Sequence, residues 1–182
     1  MMTRSVTIFL LTSLLSLFSC KTTPPTSYTW GHFNIEAANE FVAMADNLKN
    51  LNSISIFDTR SGGNEFKVNK QWIFLDTTLI DQPNYYNYKK RANEIGVDAT
   101  SLLNALKTFY RMGVNEYTQK ENYYLFPVVT GMFSIERGYL FTRITEVSQG
   151  DTILTKQGGG EEYKLILVKK VDANWFEYIE AE

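Results

Sequence analysis

The sequence predicts an α+β fold: about three helices packed on a mainly antiparallel sheet that ends in a C-terminal β-meander. Three observations predict it. Apolar residues recur at three- and four-residue steps over 34–51 and again over 85–112. They alternate over 53–57, and strand character resumes over 66–75. From Asn122 onward the chain is a series of short β-rich segments separated by Gly, Asp and Asn. Hydrophobic residues make up 44% of the 182, which is enough for a packed core and argues against global disorder.

The first helix follows from Asn34 as a cap, Glu36 in the first turn, and Ile35, Ala38, Phe41, Val42, Ala45, Leu48 and Leu51 on one stripe. The period then changes to two at Ser53-Ile54-Ser55-Ile56-Phe57. Residues 58–65, with Gly62-Gly63, read as a loop, and Phe66–Leu75 as the returning strand of a hairpin. Pro83 suits a first helical turn, Tyr85, Tyr88, Ala92 and Ile95 share a stripe, and Gly96 stops the helix. Asp98 can cap a third helix whose buried face is Leu102, Leu103, Leu106, Phe109, Tyr110 and Met112, ended by Gly113. The short link between them predicts an αα-hairpin.

The C-terminal part reads as strands throughout. Tyr123–Val129 is the first, with Pro127 marking an edge or a bend. Met132–Ile144 follows, with a turn expected at Arg137-Gly138. Thr152–Thr155 is short, and Gly158-Gly159-Gly160 is a loop. Glu162–Val168 and Trp175–Ile179 form a closing antiparallel pair. No internal repeat is visible, so residues 30–182 read as a single globular domain.

Charge and residue types exclude several functions. The formal net charge is −2, which argues against a nucleic-acid partner. One histidine, His32, and one cysteine, Cys20, are too few for a structural zinc site, so no metal or other cofactor is expected. His32 reads as a packing residue beside Trp30 and Phe33 rather than a rigid catalytic base. No Gly-x-Ser-x-Gly elbow and no Ser-x-x-Lys pair occurs after the leader. Gly158-Gly159-Gly160 lacks the following helix and the Lys of a phosphate loop. Asp76, Asp81, Glu116, Glu121 and Glu136 flank predicted elements, but no spacing pairs them as a hydrolase would need. Asp81 and Asp98 already have a role near helix N-termini, where the dipole favours negative charge. Lys89-Lys90-Arg91 reads as a solvated helix face.

Aromatic residues make up 14% of the chain. Tyr85, Tyr86, Tyr123 and Tyr124 cluster near predicted element ends. Such rings stack on sugars or anchor protein interfaces, and equally serve as core or rim. These four are the candidate partner-binding residues.

The N-terminus carries the firmest functional signal. A short basic start, Met1–Arg4, precedes Val6–Phe18, in which every residue is apolar, Ser or Thr. This is the layout of a signal peptide over residues 1–19. At about thirteen residues it is shorter than the ~20 a spanning helix needs. Residues 20–29 hold two prolines and five Thr/Ser residues, an extended tether of about 3 Å per residue. Leu17, Ser19 and Cys20 resemble the lipobox of bacterial lipoproteins; Phe18 departs from the small residue usual at its position. The resemblance covers about twenty residues. It implies cleavage before Cys20, a diacylglycerol on its thiol, and an acylated N-terminus. It also accounts for a lone cysteine that has no disulfide partner. Lys21 after the cysteine implies, by family resemblance, an outer-membrane destination facing the periplasm.

The resulting expectation is a membrane-anchored envelope lipoprotein that works as a non-enzymatic binding or accessory module for a protein or glycan. Two alternatives stand beside it. One is an immunity-type protein that blocks a toxin by surface complementarity. The other is a carboxylate-dependent hydrolase.

Overall fold

The computed structural model describes residues 33–56, 64–76, 86–131, 134–156 and 162–181. Within them lie three helices and ten strands: α1 (Ile35–Ala45), β1 (Ser53–Ser55), β2 (Glu65–Val68), β3 (Gln71–Phe74), β4 (Tyr86–Asn87), α2 (Tyr88–Ile95), α3 (Ala99–Arg111), β5 (Glu116–Gln119), β6 (Tyr123–Gly131), β7 (Ser134–Thr142), β8 (Thr152–Lys156), β9 (Glu162–Asp172) and β10 (Trp175–Ala181). The strands form one sheet in the order β4-β3-β2-β1-β5-β6-β7-β10-β9-β8. Every pairing is antiparallel except β3 with β4, so the α+β class and the mainly antiparallel sheet hold. The meander is real but docks unexpectedly: β8, β9 and β10 follow one another, and β10, not β8, joins β7.

Local chemistry sets the helix ends. Asn34 Oδ1 accepts from the Ala37 amide at 3.0 Å and opens α1. The apolar period continues to Leu51, yet the helix stops at Ala45. Asn47 Nδ2 donates to Ala43 O at 2.9 Å, satisfying a last-turn carbonyl by side chain. Leu48 and Leu51 stay buried through tight turns instead. Helix α2 begins at Tyr88, because Asn87 caps Lys90 N at 3.0 Å while Tyr86-Asn87 pairs with β3. Pro83, where the helix was expected to start, lies outside the described residues. Gly96, at φ 69°, ends α2 in the left-handed conformation that a side chain would disfavour. Asp98 then caps Ser101 N at 2.7 Å, and the αα-hairpin is as expected. On α3, Tyr110 is 38% exposed rather than buried, and Thr108 takes a buried place instead. The apolar arc is centred on Leu102, Leu106 and Phe109, and Tyr110 falls on its flank.

Three strand assignments change. Phe66–Leu75 is not one strand: β2 and β3 form a hairpin around Asn69-Lys70, both at positive φ (46° and 69°). Two left-handed residues match the right-handed twist of a two-residue hairpin. Asn69 is held by accepting from the amides of Asn52 (2.8 Å) and Ser53 (3.0 Å) and donating to Asn50 O (2.6 Å). Strand β5 sits in the middle of the sheet, where no strand was expected, with Tyr117 fully buried. Gly138 is inside β7, not in a turn. It faces Pro127, and a Cβ there would stand 2.2 Å from Phe126 O. The glycine is required by close approach of two strands. Pro127 does mark an irregularity, since the β6–β7 register shifts just beyond it.

Two apolar clusters lie on opposite faces of the sheet. The larger packs α1 and α3 against it, centred on Phe41, Phe109, Tyr117, Phe126 and Trp175. The Phe41 ring meets Tyr117 edge-on at 5.0 Å. The smaller holds Leu125, Leu140, Leu165, Leu167, Phe176 and Tyr178. It is enclosed because the outer strands curl back. Lys120 Nζ, beside β5, donates to Lys156 O on β8 at 2.9 Å. These elements stand at opposite ends of the six strands β5-β6-β7-β10-β9-β8, which therefore form an incomplete barrel around the second cluster.

Candidate functional site

A cleft opens on the helical side. It lies where the turns after α1 meet the α2–α3 link and the first turns of α3, and encloses about 550 Å³. Leu48 is buried and Met44 and Val97 are half-buried, so they form an apolar floor. Asn47, Asn50, Asp98 and Asn104 form exposed polar walls, and Lys49 stands on the rim.

The hydrogen bonds of these walls dictate what remains for a ligand. Asn47 Nδ2 is committed to Ala43 O, and Asn50 Nδ2 to Ile95 O at 2.7 Å. Both partners are carbonyls, which only accept, so the amide orientations are fixed. Among the described residues neither Oδ1 has a donor. Asp98 Oδ1 accepts from Ser101 N and from Ser101 Oγ at 2.8 Å. Those bonds, the backbone one first, hold the Asp98 carboxyl below its ordinary range, so it is ionised at neutral pH. Lys49 is the one cationic residue of the lining.

A second polar group sits within the incomplete barrel. Tyr178 Oη donates to Glu136 Oε1 at 2.8 Å. Burial raises the Glu136 pKa; the tyrosine bond opposes this, Glu180 and Glu116 add to it, and Lys120 lowers it. The register explains the meeting. Gly138 pairs with Tyr178, and Glu136 lies two residues along β7 from Gly138, on the same face of the sheet. Burial raises the Tyr123 and Tyr163 phenols above their ordinary range, and the hydroxyl of Thr155, 4% exposed, lies near enough to both to offset part of that rise. It makes no hydrogen bond of good geometry. No group of three or more His, Cys, Asp or Glu among the described residues could hold a metal ion.

The residues selected from sequence fall in different places. Cys20, His32, Asp81 and Tyr85 lie outside the described residues, as does Gly158-Gly159-Gly160. Tyr86 is half-buried, with Lys90 Nζ 4.2 Å from its ring centre. Tyr123 and Tyr124 are interior, at 8% and 2% exposure, and offer no open stacking face. They point to opposite faces of β6: Tyr123 joins the smaller cluster and Tyr124 the larger. The Tyr124 hydroxyl donates to Asp46 Oδ1 at 2.5 Å, and Arg143 completes an ion pair there, tying α1 to β6. Of the carboxylates, Glu136 and Glu116 are brought together with Glu180, while Asp76 and Glu121 are not among the groups that act on Glu136. The asparagines of the cleft escape sequence reasoning, because scattered Asn residues read as loop and cap chemistry. The one signal was their density, with Asn47, Asn50 and Asn52 close together after α1.

No family model, curated protein or solved structure matches the chain.

Proposed function

We propose that the chain is a membrane-anchored lipoprotein of the bacterial cell envelope, acting as a non-enzymatic binding or accessory module. The anchor rests on Leu17, Ser19 and Cys20 within the apolar leader, and Lys21 favours the outer membrane facing the periplasm. The binding role rests on one observation above all: a cleft of about 550 Å³ with an apolar floor and convergent polar walls. That combination is the usual form of a small-ligand site. Its walls carry oriented acceptors and a single carboxylate, Asp98, already engaged in capping α3, which is equipment for holding a molecule rather than for breaking one.

Two measurements test the reading. Replacing Cys20→Ala and fractionating the cells reads the anchor: the variant should leave the membrane fraction and keep its leader. A variant that stays membrane-bound at the normal processed size refutes it. For the binding role, full-length protein should show saturable uptake of a soluble ligand that is lost when the cleft is filled.

A further inference from the structure

The cleft's spare hydrogen-bonding groups specify the class of ligand. We infer that it holds a neutral saccharide, an inference that rests on the binding-module reading above. Three acceptors on its lining residues are left over by the hydrogen bonds of the fold: Asn47 Oδ1, Asn50 Oδ1 and the second oxygen of Asp98. Two are fixed because their amide nitrogens are tied to Ala43 O and Ile95 O, and the third because Asp98 caps α3. Acceptors set in place before binding cost little ordering entropy when a hydroxyl donates to them.

Donors stand beside them on the same lining: the second N–H of the Asn47 and Asn50 amides, the Asn104 amide and the Lys49 ammonium. A sugar hydroxyl donates and accepts at once, so one ring can use both kinds of group. The apolar floor of Leu48 and Val97 suits the C–H face of a pyranose, which is uncharged and partly apolar. Charge argues the same way. The lining holds one carboxylate, Asp98, and one ammonium, Lys49, so its formal charge is zero. A polyanion would meet Asp98, and a polycation would meet Lys49 and find only one carboxylate. An aliphatic or lipid ligand would take three acceptors from water and return no donor to them.

The test is titration calorimetry on the full chain, purified in a detergent that contains no sugar. Four probes are compared: a neutral tetrasaccharide of glucose, one of N-acetylglucosamine, a tetragalacturonate and a tetralysine. A neutral tetrasaccharide should bind saturably, and the charged oligomers should bind more weakly. Asn104→Ala should weaken binding about three- to tenfold, as expected for one lost hydrogen bond. Asn104→Phe should abolish it by filling the cleft. Asn104 is exposed and bonds to nothing among the described residues, so its loss leaves the fold intact. Lys49→Ala, at another exposed lining residue, should also weaken neutral-sugar binding about three- to tenfold, and full binding by both Asn104→Ala and Lys49→Ala overturns the proposal even if the phenylalanine variant fails to fold. The proposal is overturned by silence with both neutral sugars, by stronger binding of either charged oligomer, or by binding that survives Asn104→Phe. Stronger saturable binding of a charged oligomer overturns the neutral-saccharide class and leaves the binding module standing, whereas silence with all four probes removes both.

Discussion

Replacing Gly138 by Ala probes the closest backbone approach in the sheet. The new Cβ would stand 2.2 Å from Phe126 O and 2.8 Å from Pro127 Cα. Both are backbone atoms of β6, so no side-chain rotation relieves the clash. Strands β6 and β7 would have to part by about an ångström to reach ordinary contact. That shift loosens one or two ladder hydrogen bonds, at about 0.5–1.5 kcal/mol each. It also disturbs the packing of Phe126, Tyr139 and Leu140, all buried, where overpacking costs about 1–3 kcal/mol. The expected loss is about 3 kcal/mol, or a fall of roughly 6–12 °C in Tm for a chain of this size. Gly150→Ala is the control. Gly150 has φ 94° and open space around it, so its cost is conformational only, about 1 kcal/mol. Thermal and urea unfolding, followed by circular dichroism, read both. Gly138→Ala as mild as Gly150→Ala would refute the reasoning and return Gly138 to a turn.

Three other outcomes follow from the same structure. Lys70→Gly should stabilise the β2–β3 hairpin by up to about 1 kcal/mol, because lysine at φ 69° carries a steric cost that glycine lacks; an unchanged or lower urea midpoint would contradict this. Asn69→Ala should destabilise by about 2–3 kcal/mol through the loss of three hydrogen bonds at a left-handed position, and a loss under half a kilocalorie would show that the asparagine bridge is dispensable. Glu136 has a folded pKa above its ordinary 4.5, so its contribution to stability is fully present below that value and is lost as pH rises through the raised one. Glu136→Gln keeps an acceptor for Tyr178 and should remove that decline; parallel urea midpoints for both proteins at about pH 4 and about pH 7 would sink the assignment.

The legible parts of the fold were those fixed by neighbours in sequence. Asn34, Gly96 and Asp98 act within three or four residues of themselves, and each does in the structure what its type suggested. Gly138 was misread because what it needs is set by Phe126 and Pro127 on another strand. Strand β5 went unseen because Glu116-Tyr117-Thr118-Gln119 holds a single inward apolar residue. Its case for being a strand is made by β1 and β6 on either side. The Asn69-Lys70 turn is stabilised from Asn50, Asn52 and Ser53, well upstream. Of the site, the aromatic pairs were visible as composition, but adjacent residues on a strand face opposite ways. Tyr123 and Tyr124 therefore could not share one surface. The cleft joins three segments, around 47–50, 96–98 and 101–104, and only the fold brings them together.

The placement of β10 bears on when the chain can fold. It is the last strand in sequence, yet it lies between β7 and β9. Trp175 completes the larger cluster, while Phe176 and Tyr178 complete the smaller. Until residues 175–181 are available, β8 and β9 have no strand through which to join the rest of the sheet. Pairing of β10 is therefore the step that joins the β8–β9 hairpin to the remaining strands and closes both apolar clusters at once.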